Sequence, residues 1–398
     1  MQIKHVLLSL VISSFFLSGN AQITADENIS GGYITTAVPF LTITPDSRAA
    51  GMGDLGVATS PDANSSFWNP AKYAFYTDEK ADQGYNIGGA LSYTPWLRKL
   101  VSDMSVNYLT GYKRLSKQEV VYASFKYFDL GSMTFRDDQG TVTRDVNPYE
   151  LALSFGYSRM LSKRIGASLG VKWIHSNLTG SVSVSQGGQL VETQAGNTIA
   201  TDLGFFYQNK DIKISGKAAD LNIGATITDL GGKITYTSAE NAQHIPTTLR
   251  LGSALNTKVD LYNQIGFSLE FSKLLVPTPQ ADGSTDPNGN IFTSFTDAPG
   301  GFKEEMQEIM IAFGAEYVYA DALALRGGYF YENPNKGSRR YFTLGLGLMY
   351  KDFGFDFAYL IPTDQNNPLQ NTIRFTLTFN KLGVAKGASP DGEGSIIE

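Results

Sequence analysis

The chain has 398 residues, no cysteine and a formal net charge of −6. The lack of cysteine excludes a disulfide framework, a thiolate metal site and a cysteine nucleophile. The mild acidic balance leaves no basic patch of the kind nucleic acid requires. Aromatics make up 12% of the residues, with 21 Tyr and 24 Phe, beside 41 Gly; this mixture points to close-packed β-structure rather than helices.

The N-terminus reads as an export signal over residues 1–21. Lys4 and His5 form a short positive region, residues 6–17 are apolar, and Gly19 and Ala21 place small residues at −3 and −1. Cleavage is expected before Gln22. The apolar run of about 12 residues falls short of the roughly 20 that a spanning helix needs. Residues 22–83 form a second segment, read as a plug or periplasmic stretch. Gly51, Gly53 and Gly56 in it match G-x-G-x-x-G. A dinucleotide site needs a strand before that motif and a helix after it, whereas Pro45 precedes and Pro61 soon follows. The glycines instead allow tight turns and close backbone approach. The stretch from Asp46 to Phe75 is expected to fold inside or across the periplasmic mouth of a barrel, with Arg48 reaching carboxylates there.

Residues 84–380 repeat one pattern, ten-residue segments with a period of two. Phe342, Leu344, Leu346, Leu348 and Tyr350 alternate with Thr343, Gly345, Gly347 and Met349, and Ile265, Phe267, Leu269 and Phe271 alternate with Gly266, Ser268 and Glu270. Fourteen such segments start near Tyr85, Met104, Glu119, Tyr149, Ile165, Ile199, Leu221, Thr247, Asn263, Met310, Ala322, Tyr341, Phe353 and Thr372. The fold expected is all-β, a transmembrane antiparallel barrel of about 14 strands with an N-terminal plug. An even strand count suits a bacterial barrel. The connections alternate in length: 160–164, 320–322 and 351–352 are short, while 131–148, 176–198, 231–246, 274–309, 332–340 and 361–371 are long. Barrels of the outer membrane have short periplasmic turns and long outer loops, and a soluble sandwich has no reason to sort loops this way. Tyr341 with Tyr350, and Tyr149 with Tyr157, are expected as interfacial girdle residues. Residues 381–398 follow as a polar periplasmic tail.

Several motifs carry little chemistry. Residues 281–290 resemble the start of a calcium loop, but Pro287 stands where glycine is required and no Glu follows at position twelve. Ser-His-acid catalysis needs an oriented histidine; His175 and Ser176 are adjacent, so on a strand they point to opposite faces. No catalytic, cofactor or metal residue is assigned. Lys126, Lys172, Asp202, Arg250, Glu270, Glu316, Arg326, Asp356 and Arg374 are expected to face the lumen. Both signs are present, which favours pairing over a solute filter. The turn at 320–322 sets Glu316 opposite Arg326. In the longest outer loop, residues 302–309 can form a short helix with Phe302, Met306 and Ile309 on one face, a candidate partner-contact surface or, alternatively, a cap over the barrel mouth.

A resemblance enters through the segment before the barrel. Arg48-Ala49-Ala50-Gly51-Met52-Gly53 is followed by Asp62-Ala63 and then Asn69-Pro70-Ala71. This box resembles the N-terminal region of FadL-type barrels, where the region packs inside the barrel as a plug. With Ser92 to Leu97, Asp103-Met104 and Gly111-Tyr112, the mature chain is more similar to the PorV (LptO) family, outer-membrane components of the type IX secretion system of Bacteroidota. Sister PorQ-type barrels share the fold. The resemblance implies Arg48, Gly51, Gly53, Asp62, Asn69 and Pro70 as the plug motif. It implies a carrier with no reaction of its own, embedded in outer-membrane lipid. Its partners would be a SprA-type translocon barrel, the C-terminal signal domains of secreted cargo, and a PorU-type sortase attachment complex. Two other classes are weighed beside it: a FadL-like transporter of hydrophobic solutes, which needs an apolar path through the lumen, and a lipid hydrolase, which needs a clustered Ser-His-Asp.

Overall fold

The structure is a computed structural model that describes residues 33–381, apart from 77–86, 100, 102, 137–141, 179–182, 187–188, 215, 239–240, 281–283, 285–288 and 365–366. The signal sequence, the tail beyond 381 and most of the stretch resembling a calcium loop lie outside the described residues. Eighteen strands follow one another in the described chain. β1 (Ile87–Pro95), β2 (Ser105–Arg114), β3 (Glu119–Asp129), β6 (Tyr149–Met160), β7 (Ile165–Asn177), β10 (Gly196–Ile214) and β11 (Lys217–Gly231) form the first half of a wall. β12 (Thr248–Lys258), β13 (Asn263–Leu274), β14 (Met310–Tyr319), β15 (Leu323–Tyr331), β16 (Arg340–Tyr350), β17 (Phe353–Pro362) and β18 (Ile373–Lys381) form the second. Consecutive wall strands pair antiparallel, and β18 pairs back to β1 from Ile87↔Lys381 to Tyr93↔Phe375, so the sheet closes into a barrel of fourteen strands. β4 (Met133–Arg136) with β5 (Val142–Val146), and β8 (Ser183–Gln186) with β9 (Gln189–Glu192), are small hairpins within two of the long loops.

Closure follows from what surrounds the wall. A spanning strand finds no water for its backbone groups, so each must pair and no edge can remain. Side chains of period two then divide into two media. Leu344 and Leu169 on the outside are 57% and 54% exposed, while Thr376 and Ile174 on the inside are fully covered. A charge on the lipid face costs about 2–4 kcal/mol at mid-bilayer and little near the interfaces; accordingly the outward Lys113, Glu119 and Arg159 sit at strand ends. The ladders are regular except between β10 and β11, where the register shifts at Thr201/Leu203 and Asn209/Ile212. One expectation needs correcting. Tyr341 is not a girdle residue: it is odd-numbered like Thr343, so the pleat turns it into the lumen, where it is 4% exposed and stacks on Phe330 at 5.0 Å.

Turns at one end of the barrel are short and loops at the other are long, which assigns the first end to the periplasm and the second to the outside. Outer loops are tied to one another locally. The Ser132 N–H donates to Asp103 across 2.9 Å and holds that carboxyl below its usual range. Among the described residues, no helix is long and apolar enough to cross a membrane; the chain crosses with strands.

Candidate functional site: the plugged lumen and its outer rim

The N-terminal segment runs through the barrel from one mouth to the other. Near the outer mouth, Phe40 stacks against Phe128 and the Lys126 ammonium donates to the Leu41 and Ile43 carbonyls at 3.1 and 2.6 Å. Deeper in, α1 (Ser47–Ala50) is capped by Asp46, whose carboxylate accepts from Ala49 N–H at 2.9 Å and from the Trp68 indole at 2.7 Å. The Ser47 N–H donates to Thr376 of β18 at 2.9 Å. Then comes α2 (Ser65–Trp68), and a 3-10 turn over Pro70–Phe75 leads out at the periplasmic side, where Arg114 donates to the Tyr73 and Tyr76 carbonyls. The segment thus threads the lumen along its length, further outward than a plug at the periplasmic mouth alone.

The residues of the plug motif occupy defined places in it. Arg48 donates to Asp62 at 2.7 Å and to both carboxylate oxygens of Glu316 at 3.1 and 3.0 Å. Gly53 has a left-handed φ of 84°, and a Cβ there would stand 2.9 Å from Phe313 O and Tyr329 N on the wall; only glycine meets both demands. Gly51 packs on Gly345 of β16, where a Cβ would lie 2.8 Å from the opposing Cα. Asn69 donates to the Val57 and Phe205 carbonyls and accepts from Ala71 N–H, which starts the turn at the buried Pro70.

Glu316 of β14 stands directly opposite Arg326 of β15, and the two pair at 2.8 Å. Arg326 continues to Asp356 of β17 at 2.5 Å. The run Asp62, Arg48, Glu316, Arg326, Asp356 therefore alternates in sign from plug to wall, and each buried charge has an opposite neighbour. A second bridge joins Asp54 to Arg374 at 2.7 Å and to the Tyr341 hydroxyl at 2.5 Å. Glu270 accepts from the Gly56 and Val57 N–H groups at 2.8 and 2.9 Å. Asp54 and the fully buried Lys72, which donates to Gly56 O and Thr59, were not singled out by sequence reasoning. Their partners lie far along the chain or on the plug itself, so no spacing announces them. His175 points outward beside Tyr149 and Trp173, while Ser176 points inward to Glu150 at 2.7 Å; the strand keeps the two apart.

At the outer rim, the loop after β13 carries α3 (Phe302–Gln307). Glu304, Glu305 and Glu308 are buried against the barrel. Lys336 donates to Glu304 at 2.5 Å and Glu308 at 3.1 Å; Lys273 donates to Glu305 at 2.9 Å and also to Glu308. Thr278 adds a bond to Glu308 at 2.8 Å. The opposite face bears Phe302 and Met306, 80% and 52% exposed, with Phe292 at 79% in the same loop. Ile309 lies past the helix end and is half-buried, so it does not share that face.

A closed fourteen-strand antiparallel barrel, apolar outside and filled by its own N-terminal segment, defines an integral outer-membrane protein of the plugged-barrel class. The model of "Type IX secretion system protein PorV" matches residues 25–281, well over half of the chain, and the chain belongs to that family: it is an outer-membrane component of type IX secretion. No curated protein sequence matches it. Among solved structures it is similar to the Ralstonia pickettii toluene transporter TbuX, at 13% identity and TM-score 0.48, over 90% of this chain and 100% of that one. A Pseudomonas aeruginosa FadL homologue is similar at 11% identity and TM-score 0.44, over 88% and 99%. The Pseudomonas putida toluene transporter TodX is similar at 14% identity and TM-score 0.42, over 83% and 95%.

Proposed function

We propose that this barrel is the cargo carrier of the type IX secretion system. It binds secreted cargo by its C-terminal signal domain at a SprA-type translocon barrel and delivers it to a PorU-type attachment complex on the surface. The observation that carries this reading is the rim helix. Its glutamates are paired with Lys273 and Lys336, and its apolar face, with Phe302 and Met306, is left exposed. Exposed apolar clusters of this kind mark interaction sites. Export by a cleaved signal sequence belongs to the same reading.

The lumen argues for an adaptor over a FadL-like transporter. A transporter needs a path, and here the path is occupied by residues 37–75 bonded to the wall on several sides. The reading includes no reaction of its own, since the histidine beside Ser176 faces the other side of the strand.

The test is secretion and partner recovery in cells. Deleting residues 280–299, and separately changing Phe302 and Met306 to Ser, leaves every wall strand intact. Barrel assembly is expected to survive while secretion of type IX cargo falls and co-purification of translocon and cargo weakens. Normal secretion with normal partner recovery in both variants rules this loop out as the contact surface.

A further inference from the structure

Above the plug lies a cavity of about 480 Å³ at the outer end of the lumen. A separate cavity of about 370 Å³, bounded by Arg48, Asp62 and Glu316, lies on the periplasmic side. Both volumes fall in the range of ligand pockets. The outer one has an apolar wall of Met310, Phe330, Leu360 and Leu369, and the charged side chains Arg250 and Arg374 reach it beside Trp68. Its carboxylates are already satisfied. Asp54 accepts from Arg374 and Tyr341, Glu270 from two backbone N–H groups, and Glu332 from Arg339. Two of its arginines, Arg250 and Arg374, are held by fewer bonds. Arg374 is 3% exposed and donates through one terminal nitrogen to Asp54 at 2.7 Å. Arg250 donates to Thr228 at 3.0 Å, but its approach to Glu270 is 3.8 Å, beyond hydrogen-bond range. A guanidinium carries five N–H donors, and among the described residues these bonds engage one on each arginine.

We infer that this cavity is a pocket for a carboxylate borne on an apolar stem at the tip of a polypeptide that enters from the outer mouth. The guanidinium groups of Arg250 and Arg374 take the carboxylate, and the Met310–Phe330–Leu360 side takes the stem. The plug floors the cavity, and the ladders from β12 round to β18 and β1 carry no register break through which an occupant could leave sideways. An occupant must return by the way it came. That suits a tip held from outside by the rest of a folded chain and does not suit a solute in transit. The inference rests on the carrier reading and names what the lumen contributes to it.

The experiment measures binding of a type IX cargo C-terminal signal domain to the whole purified barrel in nanodiscs. The domain is used as the free acid, with an amidated C-terminus, and with exposed Asp and Glu changed to Asn and Gln; 3-phenylpropionate is titrated in parallel. Arg250→Met and Arg374→Met are expected to weaken binding at least tenfold. Leu369→Trp and Thr36→Trp, which fill the cavity without touching an ion pair, are expected to do the same. One of the carboxylate-free domains should lose as much, with no further loss when combined with an Arg variant. Unchanged binding in both Trp variants overturns the inference and leaves the carrier reading standing. No binding to the unaltered barrel overturns the carrier reading and the inference with it. Binding of 3-phenylpropionate without the domain assigns the pocket to a small free acid and overturns the peptide assignment.

Discussion

The lumen and the rim helix solve the same problem in two different surroundings. In the lumen, Arg48 holds Asp62 on the plug and Glu316 on the wall. At the rim, Lys336 holds Glu304 and Glu308 of the loop against the barrel. Both regions turn charge inward and apolar side chains outward. The wall does so because lipid lies outside it. The helix lies in a loop beyond the strand ends, and its attachment runs through its glutamates. The difference separates residues that serve the fold from residues left for something else: the ionic face of α3 attaches it, and the apolar face of Phe302 and Met306 contributes nothing to that attachment.

The largest expected effect falls in the lumen. Arg48→Met leaves Asp62 without its ion pair and Glu316 with Arg326 alone. Removing one member of a buried pair costs about 3–5 kcal/mol. A clear drop in the thermal unfolding midpoint of the purified barrel is expected, together with cleavage of the plug by protease added from the periplasmic side. Adding Glu316→Gln should recover part of the loss, because the excess buried charge is then reduced. A midpoint unchanged in Arg48→Met would mean that the plug is seated by its backbone contacts and not by this network.

At the rim the effect should be smaller and local. Lys336→Met strips Glu304 of its cation, but Lys273 and Thr278 still hold Glu308. An unsatisfied buried acceptor costs about 1–3 kcal/mol, and here it is charged to a loop rather than to the barrel. Proteolysis within residues 274–309 should speed up severalfold while the unfolding midpoint of the barrel stays where it was. A shared fall in both would show that the loop and the wall unfold as one unit, and the contrast between the two regions would collapse.

What could be read from the sequence divides along the same line. The starts of the wall strands fall within a few residues of the sequence-based positions, because period two is written locally and lipid enforces it on every strand. Glu316 opposite Arg326 follows from a three-residue turn and the pleat. Tyr341 was misjudged because being aromatic at a strand end outweighed its odd number, which the pleat respects. The rim was harder. Lys303-Glu304-Glu305 reads as an ordinary solvated helix face, and nothing near it in the chain shows that Lys273 of β13 and Lys336 of the loop after β15 pair with those carboxylates. Ile309 was grouped with Phe302 and Met306 by helical spacing, but α3 ends at Gln307 and the spacing no longer applies. Asp54 as an anchor for Arg374 joins positions too distant for any spacing rule.

The smallest expected effect is the one that sharpens the comparison most. Phe302→Ser removes a ring that is 80% exposed and packs on nothing that holds the fold. Surface substitutions away from buried networks stay within about 0.5 kcal/mol, so neither the unfolding midpoint nor the rate of loop proteolysis should move. Serine is a weaker helix former than the best residues by only a few tenths of a kcal/mol, and α3 is held by its glutamates. The same measurements that register Arg48→Met and Lys336→Met should therefore be blind to Phe302→Ser. If the loop instead becomes markedly more sensitive to protease, the phenylalanine was holding the loop in place, and its exposure cannot then be taken as a surface kept free for a partner.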